Sequence, residues 1–566
     1  MMNFILQRLP ELSRRVRYRG CVSSLAVAGA LYLGLHANLV FAEEPGIALR
    51  FSERGLASLT YHGQEFLDSA GKEPRGEPVM SVWLEGDPKQ HYDGPKESRW
   101  PDPNTFVRLY PWGLATVHYG VAGDNLNVTV EVHNTSAQQV RKAQCDLFYL
   151  RFPDGLTPDR WDNTDPPKND GRLAPTVLTA SYRQGKLVTV DPDPGVATYT
   201  RFGSRQGAGY QLSLASLAPL APGQTVRLST SCRFRPPDAP VEQVAADVYH
   251  RFRDQHPRSS QWADRRPIGS LMLARVNTKW ATNPRGWLND PSLDVFTPNR
   301  RAVFWERLFA FVNATVTNLR MMDAQGVIVW DLEGEQFPQG EATYAGDPRL
   351  LPKLAPEMEP VADALFEKFK RAGLRVGVCL RADAVTFRPN GSFYQKVFMD
   401  RQLLLQSLDD RIAYAKARWG CTIYYIDSFG GPPAYDPDVL RQLAEKHPDV
   451  LLVPEFEQTL TYAYAAPYKE LRPMGRNPGT GSTPSRVTAV YPDAFSVINV
   501  ADGDLPGRRA ELLQAVRRGD VLLFRAWYRN QEFAMVRTIT QEARATSGRE
   551  PVHGRPVSGN PGPVGR

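Results

Sequence analysis

The chain has 566 residues, of which 42% are hydrophobic and 23% are charged, and this length predicts more than one domain. The formal charge is +7, but residues 1–42 hold five arginines and one glutamate, so the rest of the chain carries only +3. Because that remainder has no dense basic stripe interleaved with aromatics, we expect no nucleic-acid partner.

Residues 1–42 have the pattern of a secretory signal peptide. A basic stretch that ends at Arg19 precedes a long apolar run, and Val40 and Ala42 are the small residues that signal peptidase accepts. An uncleaved membrane anchor is the alternative, because the run approaches the ~20 residues that span a bilayer. The polar residues within the run favour removal. We therefore predict an exported protein, periplasmic or secreted, with no membrane contact after removal of the signal.

Residues 43–258 predict an antiparallel β-sandwich. Short runs rich in Val, Thr, Tyr and Leu alternate with clusters of Gly, Pro, Asn and Asp, and LNVTVEVHN alternates apolar and polar residues cleanly. A helical segment, PVEQVAADVYHRFRDQHP, closes this region. Cys145 and Cys232 lie in strand-like segments, and both a disulfide and two buried thiols are compatible with their spacing.

After an Arg/Pro-rich linker at 259–267, strand-like and helix-like segments alternate through residues 268–542. Apolar strands that alternate with helices predict a parallel sheet covered by helices. Seven strands are evident, and an eighth, near 486–492 or 533–540, would complete a TIM-type (β/α)8 barrel. An open doubly wound sheet is less well supported, because no G-x-G-x-x-G follows the first strand. Residues 543–566 have almost no apolar content and predict a disordered tail.

Charged and aromatic residues follow the predicted barrel strands at their carboxyl ends, where such barrels gather their functional groups. In strand order they are Asp331 and Glu333, Arg381 and Asp383, Asp427, Glu455 and Glu457, Asp502 and Asp504, and finally Arg525, Trp527 and Tyr528. Residues two apart on a strand share a face, so we expect Asp331 to pair with Glu333 and Glu455 with Glu457. We interpret Glu335 and Asp504 as solvated or helix-capping.

Histidine is scarce in the barrel region, where His447 is the only one between residues 270 and 540. Nucleophilic mechanisms that use serine or cysteine need a neighbouring histidine, and catalytic zinc usually takes histidine ligands. We therefore predict carboxylate chemistry with no metal and no cofactor, although an all-oxygen Ca²⁺ or Mg²⁺ site stays open.

Paired carboxylates with aromatic platforms in an exported protein indicate glycoside hydrolysis of oligo- or polysaccharides. Trp287, Trp527 and Tyr528 are candidates for stacking on sugar faces, and Arg381 or Arg525 for holding hydroxyls or an acidic sugar. Asp331, Glu333 and Glu457 complete the predicted substrate-binding set.

The layout resembles that of retaining glycosidases of the α-galactosidase and α-glucosidase type, in which a β-sandwich precedes a (β/α)8 barrel. The similarity lies in GLATVHYGVAGDNLNVTVEVHNTS and LFYLRFP of the sandwich and in CTIYYIDSFG of the fourth strand. It implies Asp427 as nucleophile and, in INVADGD after the predicted sixth strand, Asp502 as acid/base. The Lys-x-Asp of these enzymes is replaced by Tyr425-Ile426-Asp427, and Glu455 is a rival acid/base.

Two other functions remain open. One is a non-catalytic carbohydrate-binding protein on a glycosidase-like fold, which would bind glycans without turning them over. The other, with weaker support, is a lyase or epimerase that uses tyrosine and arginine on uronic acids.

Overall fold

The computed structural model describes residues 46–67, 76–87, 89–91, 94–152, 157–162, 173–191, 196–201, 209–216, 218–274, 280–336, 344–428, 436–455, 457–470, 481–500, 505–527 and 532–547. The predicted signal peptide, Asp502, Asp504, Tyr528 and tail residues 548–566 lie outside these ranges.

The N-terminal half is built from strands. They are β1 Ile47–Ser52, β2 Gly55–Tyr61, β3 Gln64–Glu65, β4 Val79–Leu84, β5 Gln90–His91, β6 Glu97–Asp102, β7 Thr105–Leu109, β8 Gly113–Ala122, β9 Asn125–Asn134, β10 Val140–Arg151, β11 Thr157–Asp162, β12 Val177–Tyr182, β13 Gly185–Val190, β14 Val196–Arg201, β15 Gly209–Ser216 and β16 Thr225–Arg235.

These strands form the predicted antiparallel sandwich. An eight-stranded sheet has the order β11-β12-β13-β16-β9-β8-β7-β6, a five-stranded sheet has the order β14-β15-β10-β4-β5, and β1-β2-β3 form a smaller sheet. On β9, Leu126, Val128, Val130 and Val132 are fully buried, because alternate residues of a strand share one face. They pack in one core with β4 and β10 residues of the other large sheet.

Cys145 and Cys232 are free thiols in the structure. Cys145 lies on β10 of the five-stranded sheet and Cys232 on β16 of the eight-stranded sheet. Both side chains are buried in the sandwich core, and burial raises the pKa of each thiol above its usual range. The sequence was compatible with both a disulfide and two buried thiols, and the structure has the buried thiols.

The C-terminal half contains the predicted barrel. Its eight strands, first to eighth, are β17 Ile268–Met272, β18 Gly326–Trp330, β19 Arg375–Arg381, β22 Ile423–Asp427, β23 Leu451–Pro454, β24 Tyr468–Glu470, β25 Val497–Asn499 and β26 Val521–Arg525. Neighbouring strands pair in parallel from β17 through β23, and β17 pairs with β26, β26 with β25 and β25 with β24. At the remaining seam, Ala466 N–H donates to the Leu452 carbonyl at 2.9 Å. A short hairpin, β20 Asp383–Phe387 and β21 Phe393–Val397, follows the third barrel strand.

The eighth strand is not where the sequence predicted it. Residues 486–492 and 533–540 are mostly helical, and the missing strand is Tyr468–Glu470, which is the sixth in barrel order. The strand that ends at Asn499 is therefore the seventh, so Asp502 follows the seventh strand and not the sixth. A three-residue strand after an Ala/Pro segment is too short to produce a recognisable apolar run.

The helices that alternate with these strands cover the outside of the barrel. The described helices are α1 Val241–Val244, α2 Ala246–Gln255, α3 Pro298–Met321, α4 Leu351–Leu354, α5 Glu359–Arg371, α6 Arg401–Trp419, α7 Pro437–Lys446, α8 Thr461–Tyr464, α9 Ser485–Val490, α10 Arg509–Arg518 and α11 Glu532–Ser547. Asp436 caps α7 by accepting from Asp438 N–H at 3.0 Å. Helix α11 continues to Ser547, so the predicted disorder is wrong for residues 543–547. Among the described residues, no helix combines the length and apolarity needed to cross a bilayer.

Side chains of the barrel strands alternate between the lumen and the helices. On the fourth strand, Ile423 and Tyr425 belong to a buried cluster with residues of other barrel strands. Tyr424 and Ile426 belong instead to the large core that includes the helices. The next lumen position on this strand is Asp427, at its carboxyl end.

The packed lumen predicts a large stability difference between two leucine substitutions. Leu451 is fully buried in the lumen cluster, whereas Leu403 on α6 is 61% exposed. We expect Leu451→Ala to lower the free energy of unfolding by about 2–5 kcal/mol, because it leaves a cavity. The matched change Leu403→Ala should lower it by less than about 0.5 kcal/mol. Urea denaturation measures both, and equal losses would contradict the packed lumen.

Candidate active site

Asp427 is the centre of the candidate site. Its carboxylate Oδ2 accepts a hydrogen bond from Tyr344 Oη at 2.5 Å and lies 3.3 Å from Arg381 Nε. Arg381 ends the neighbouring third strand, and the parallel register places it directly beside Asp427. A hydroxyl donor and a cation on the same oxygen favour the ionised form of this carboxyl group.

Arg381 connects Asp427 to its surroundings. Its Nη2 donates to Ser428 Oγ at 3.1 Å, its Nε lies 3.8 Å from Asp383 Oδ2, and its guanidinium lies 5.2 Å from the centre of the Tyr344 ring. Burial and the charge of Asp427 raise the pKa of Asp383 against the opposing effect of Arg381. One arginine therefore orients two carboxyl groups and a hydroxyl at the mouth.

A second arginine, Arg411 of α6, holds the segments around Arg381 in place. Its side chain is buried, and Nη1 donates to the carbonyls of Gly346 at 3.1 Å and Arg381 at 2.5 Å. Nη2 donates to the Asp383 carbonyl at 2.9 Å, and Nε lies 3.2 Å from Asp347 Oδ2. These contacts fix two strand-end loops against each other.

Glu455 lies directly beside Asp427. Its backbone N–H donates to the Ile426 carbonyl at 3.1 Å, and its Oε2 accepts from Ser428 N–H at 2.8 Å. Its carboxyl group is hydrogen-bonded to that of Asp427. Burial, followed by the charge of Asp427, raises the pKa of Glu455 to about 7. The parallel register of the fourth and fifth strands, in which Ile426 lies opposite Pro454, brings these two acids together.

A further acid, which sequence reasoning missed, ends the sixth strand. Glu470 is buried and follows the lumen residue Tyr468 by two positions, so it continues the lumen face at the mouth. Its Oε1 accepts hydrogen bonds from Tyr468 Oη and, at 3.1 Å, from Asn499 Nδ2 of the seventh strand. The Tyr468 ring packs 5.0 Å from that of Tyr425. The Tyr-x-Glu pattern, with two polar or aromatic side chains two positions apart, is the sequence signal that could have identified Glu470.

Asp331, Glu333 and Glu335 form a buried acidic loop after the second strand. Burial, followed by the charges of Glu335 and Glu333, raises the pKa of Asp331 to about 8. Burial also raises the pKa of Glu333 to about 7. The interpretation of Glu335 as solvated is wrong, because its side chain is buried with the others. The strand ends at Trp330 and Asp331 has φ +54°, so the expected strand-face pairing of Asp331 with Glu333 is replaced by a turn.

The structure corrects the predicted role of Trp287. Its side chain is fully buried, its Nε1 donates to Glu357 Oε1 at 2.7 Å, and its ring stacks on that of Phe304. A ring enclosed in this way has no face for a sugar, and we assign Trp287 to the core.

Glu457 does not join Glu455 at Asp427. Its carboxylate accepts from Lys469 Nζ and Tyr462 Oη. Lys469 lies between the lumen residues Tyr468 and Glu470 and therefore on the opposite face of the sixth strand. The fifth strand ends at Pro454, so the expected two-residue alternation does not continue as far as Glu457.

The eighth strand contributes Arg525 and the segment after it. Arg525 follows the lumen residues Val521 and Leu523 in alternation, and its Nη2 lies 3.8 Å from Glu532 Oε2. Trp527 is half-buried and packs against the large helix-facing core. Arg525 thus lies on the mouth side of the barrel.

The described ranges contain several acids at the barrel mouth that could be considered as metal ligands. No group of three or more His, Cys, Asp or Glu side chains there is placed to hold a metal ion. The acids of the mouth are instead paired with arginine, tyrosine, backbone N–H groups or one another.

The buried acidic loop predicts a specific pH dependence of stability. The folded state keeps a proton on Asp331 up to about pH 8, whereas the unfolded chain releases it near 3.8. The free energy of unfolding should therefore fall as the pH rises between these values. Asp331→Asn, which tolerates the positive φ, removes this contribution and should give a shallower decline.

Urea denaturation at pH 5, 6, 7 and 8 measures this difference. The exposed Asp238, changed to Asn, is the matched control and should keep the wild-type slope. Parallel curves for the wild type and Asp331→Asn would contradict the buried, protonated state of Asp331.

Comparison with known proteins gives likeness in structure only. No protein-family model matches the chain, and no curated protein matches it. A family GH36 α-galactosidase from Geobacillus stearothermophilus, in complex with stachyose, is 11% identical over 86% of this chain and 78% of that chain, with a TM-score of 0.42. An α-N-acetylgalactosaminidase from Bifidobacterium bifidum, in complex with GalNAc, is 12% identical over 89% of this chain and 92% of that chain, with a TM-score of 0.45. At these identities the likeness concerns the fold.

Proposed function

We propose that this protein is an exported glycoside hydrolase of the retaining type, with Asp427 as its nucleophile. The observation that supports this most directly is the environment of Asp427 at the carboxyl end of the fourth barrel strand. Its carboxylate faces the lumen mouth, where Arg381 and Tyr344 hold one oxygen. The export part of the proposal is supported only by the basic-then-apolar pattern of residues 1–42.

A retaining mechanism needs a carboxylate that is ionised and rigidly aimed at the anomeric carbon. The cation of Arg381 stabilises the negative charge of Asp427, and the Tyr344 hydroxyl fixes the plane of the carboxylate through Oδ2. Arg411 in turn holds the backbone of Arg381. These contacts limit the motion of Asp427 before the sugar arrives, which lowers the cost of reaching the attacking geometry.

The second carboxyl group must protonate the leaving oxygen from across the sugar, about 5–5.5 Å from the nucleophile. Glu455 lies beside Asp427 in the strand register, where Ile426 is opposite Pro454, and interacts with its carboxyl group directly, so it is not placed across a sugar from it. The resemblance drawn from the sequence assigns the acid to the end of the sixth strand. With the strand count corrected, that position is Glu470 and not Asp502. We therefore propose Glu470 as acid/base.

The acidic loop supplies candidate ligands for sugar hydroxyls. At neutral pH a buried carboxyl group with a raised pKa both donates and accepts hydrogen bonds, which matches the two roles of a hydroxyl. Asp331 and Glu333 have this character. The proposal therefore assigns Asp331 and Glu333 to substrate orientation, with Arg525 at the same mouth.

Replacement of the nucleophile tests the proposal directly. Asp427→Asn should lower the rate of hydrolysis by at least about 10³-fold, because an amide cannot form the covalent intermediate. The control Asp238→Asn should keep wild-type activity, and both variants should keep the wild-type thermal midpoint. A panel of oligo- and polysaccharides with reducing-sugar detection measures hydrolysis, and proton NMR of the first-formed sugar should show a retained anomer.

Two results would contradict this assignment. Wild-type activity in Asp427→Asn would remove Asp427 from the chemistry. Glycan affinity in the wild type by calorimetry, with no turnover of any glycan that binds, would identify a carbohydrate-binding protein instead.

The acid is identified by its dependence on the leaving group. Glu470→Gln should lower the rate on unactivated glycosides by about 10²–10⁴-fold, because the leaving oxygen is no longer protonated. Aryl glycosides with acidic phenol leaving groups need no such proton and should react with the variant at close to the wild-type rate of glycosyl-enzyme formation. Asp502→Asn should show no such contrast, and the contrast in that variant would return the role to Asp502.

A further inference from the structure

We propose that Glu455 is a positioning residue for Asp427, which it holds through a shared proton on one side and through the following backbone turn on the other. This inference deepens the proposed function and rests on it, because it takes Asp427 as the nucleophile. It gives Glu455 no contact with the substrate.

Glu455 contacts the backbone on both sides of the nucleophile. The fourth strand ends at Asp427, and Ser428 has φ +57°, a left-handed conformation that an L-residue rarely adopts. Glu455 Oε2 accepts from the Ser428 N–H at 2.8 Å, while Glu455 N–H donates to the Ile426 carbonyl at 3.1 Å. Glu455 therefore holds the chain on both sides of Asp427.

The carboxyl groups of Glu455 and Asp427 share a proton. Two carboxylates in hydrogen-bond contact repel each other strongly, so such a pair retains one proton into the neutral range. Asp427 has a cation and a hydroxyl donor on Oδ2, which favour its charge. The proton therefore belongs mainly to Glu455, whose O–H donates to the Asp427 carboxylate.

Within the described ranges, the charged and titratable groups that face Glu455 are consistent with this assignment. From the fourth strand it faces Asp427 and the Tyr425 phenol, whose raised pKa keeps it neutral. From the third strand it faces Arg381, which favours the ionised form but acts more weakly than Asp427. Tyr344 reaches Asp427 from the loop after the second strand and is neutral as well. The net effect is the pKa of about 7 described above.

The arrangement has a consequence for activity. Below about pH 7 the Glu455 O–H donates to Asp427 and keeps it in place. As the pH rises, that proton passes to water and leaves two adjacent anions, and their repulsion displaces the nucleophile. Activity should therefore decline on the alkaline side with an apparent pKa near 7.

Glu455→Gln keeps the contacts of the protonated side chain and prevents its ionisation. The glutamine amide donates to Asp427 and its carbonyl accepts from Ser428 N–H, but it cannot ionise. We expect the kcat/KM of the variant at pH 6 to be no more than about 10-fold below that of the wild type. The decline of its activity on the alkaline side should occur about one pH unit or more higher than in the wild type. Glu455→Ala removes both contacts and should lower kcat about 10²-fold with KM nearly unchanged. An unshifted alkaline limb in the glutamine variant would overturn the proposal.

A measurement without substrate separates this inference from the proposed function. The folded pKa of Glu455, about 7, exceeds the ordinary value of 4.5, so the free energy of unfolding of the wild type should fall as the pH rises between them. Glu455→Gln should lack this contribution, and Asp427→Asn should reduce it, because the neighbouring charge is gone. Equal slopes in all three proteins would overturn the shared proton. The expected slopes with no hydrolysis of any glycan would support it and contradict only the glycosidase.

Discussion

The two-residue alternation of side chains in the parallel barrel decides which residues of this protein can meet. Each strand directs every second side chain into the lumen, and most of those side chains are apolar and packed. The lumen position that follows the apolar layer lies at the carboxyl end of each strand. On the fourth, sixth and eighth strands that position holds Asp427, Glu470 and Arg525. The site is therefore a continuation of the core packing pattern, with charge in place of hydrocarbon.

Charge at the edge of an apolar core has to be compensated, and this barrel does so in two ways. Asp427 is compensated by Arg381 and Tyr344, which contact the same carboxylate oxygen. Glu455 is half-buried and Asp331 is buried, each beside other acids, and burial and these neighbours raise the pKa values to about 7 and about 8. The difference comes from the neighbours and not from the residue type, since burial and nearby acids favour the protonated form of a carboxyl group and a close cation opposes it. The mouth thus combines an acid that is paired with a cation and acids whose pKa values are raised.

The sequence predicted this site where a strand was long enough to show its period. The continuous apolar runs before Arg381 and Asp427 identified both strands and both carboxyl ends. The three residues Tyr468–Glu470 have no run to detect, so Glu470 was missed and the strand count was shifted by one. Errors also arose beyond strand ends, where alternation no longer applies, as for Glu335 and Glu457. Trp287 lies between strands, and only tertiary packing shows that its ring is enclosed.

The backbone conformation of the loop after the second strand affects the orientation of the nucleophile. Gly346 has φ +61°, and a Cβ there would lie 2.6 Å from the Arg381 backbone nitrogen, so only glycine allows this approach. The approach lets the Gly346 carbonyl accept from Arg381 N–H at 3.1 Å and from Arg411 Nη1 at the same distance. Two residues earlier in the same loop, Tyr344 donates to Asp427. Because Gly346 is held by the third strand and by α6, the Tyr344 hydroxyl two residues away has little freedom to leave the carboxylate. The orientation of Asp427 therefore depends on a glycine and a buried arginine that do not contact it.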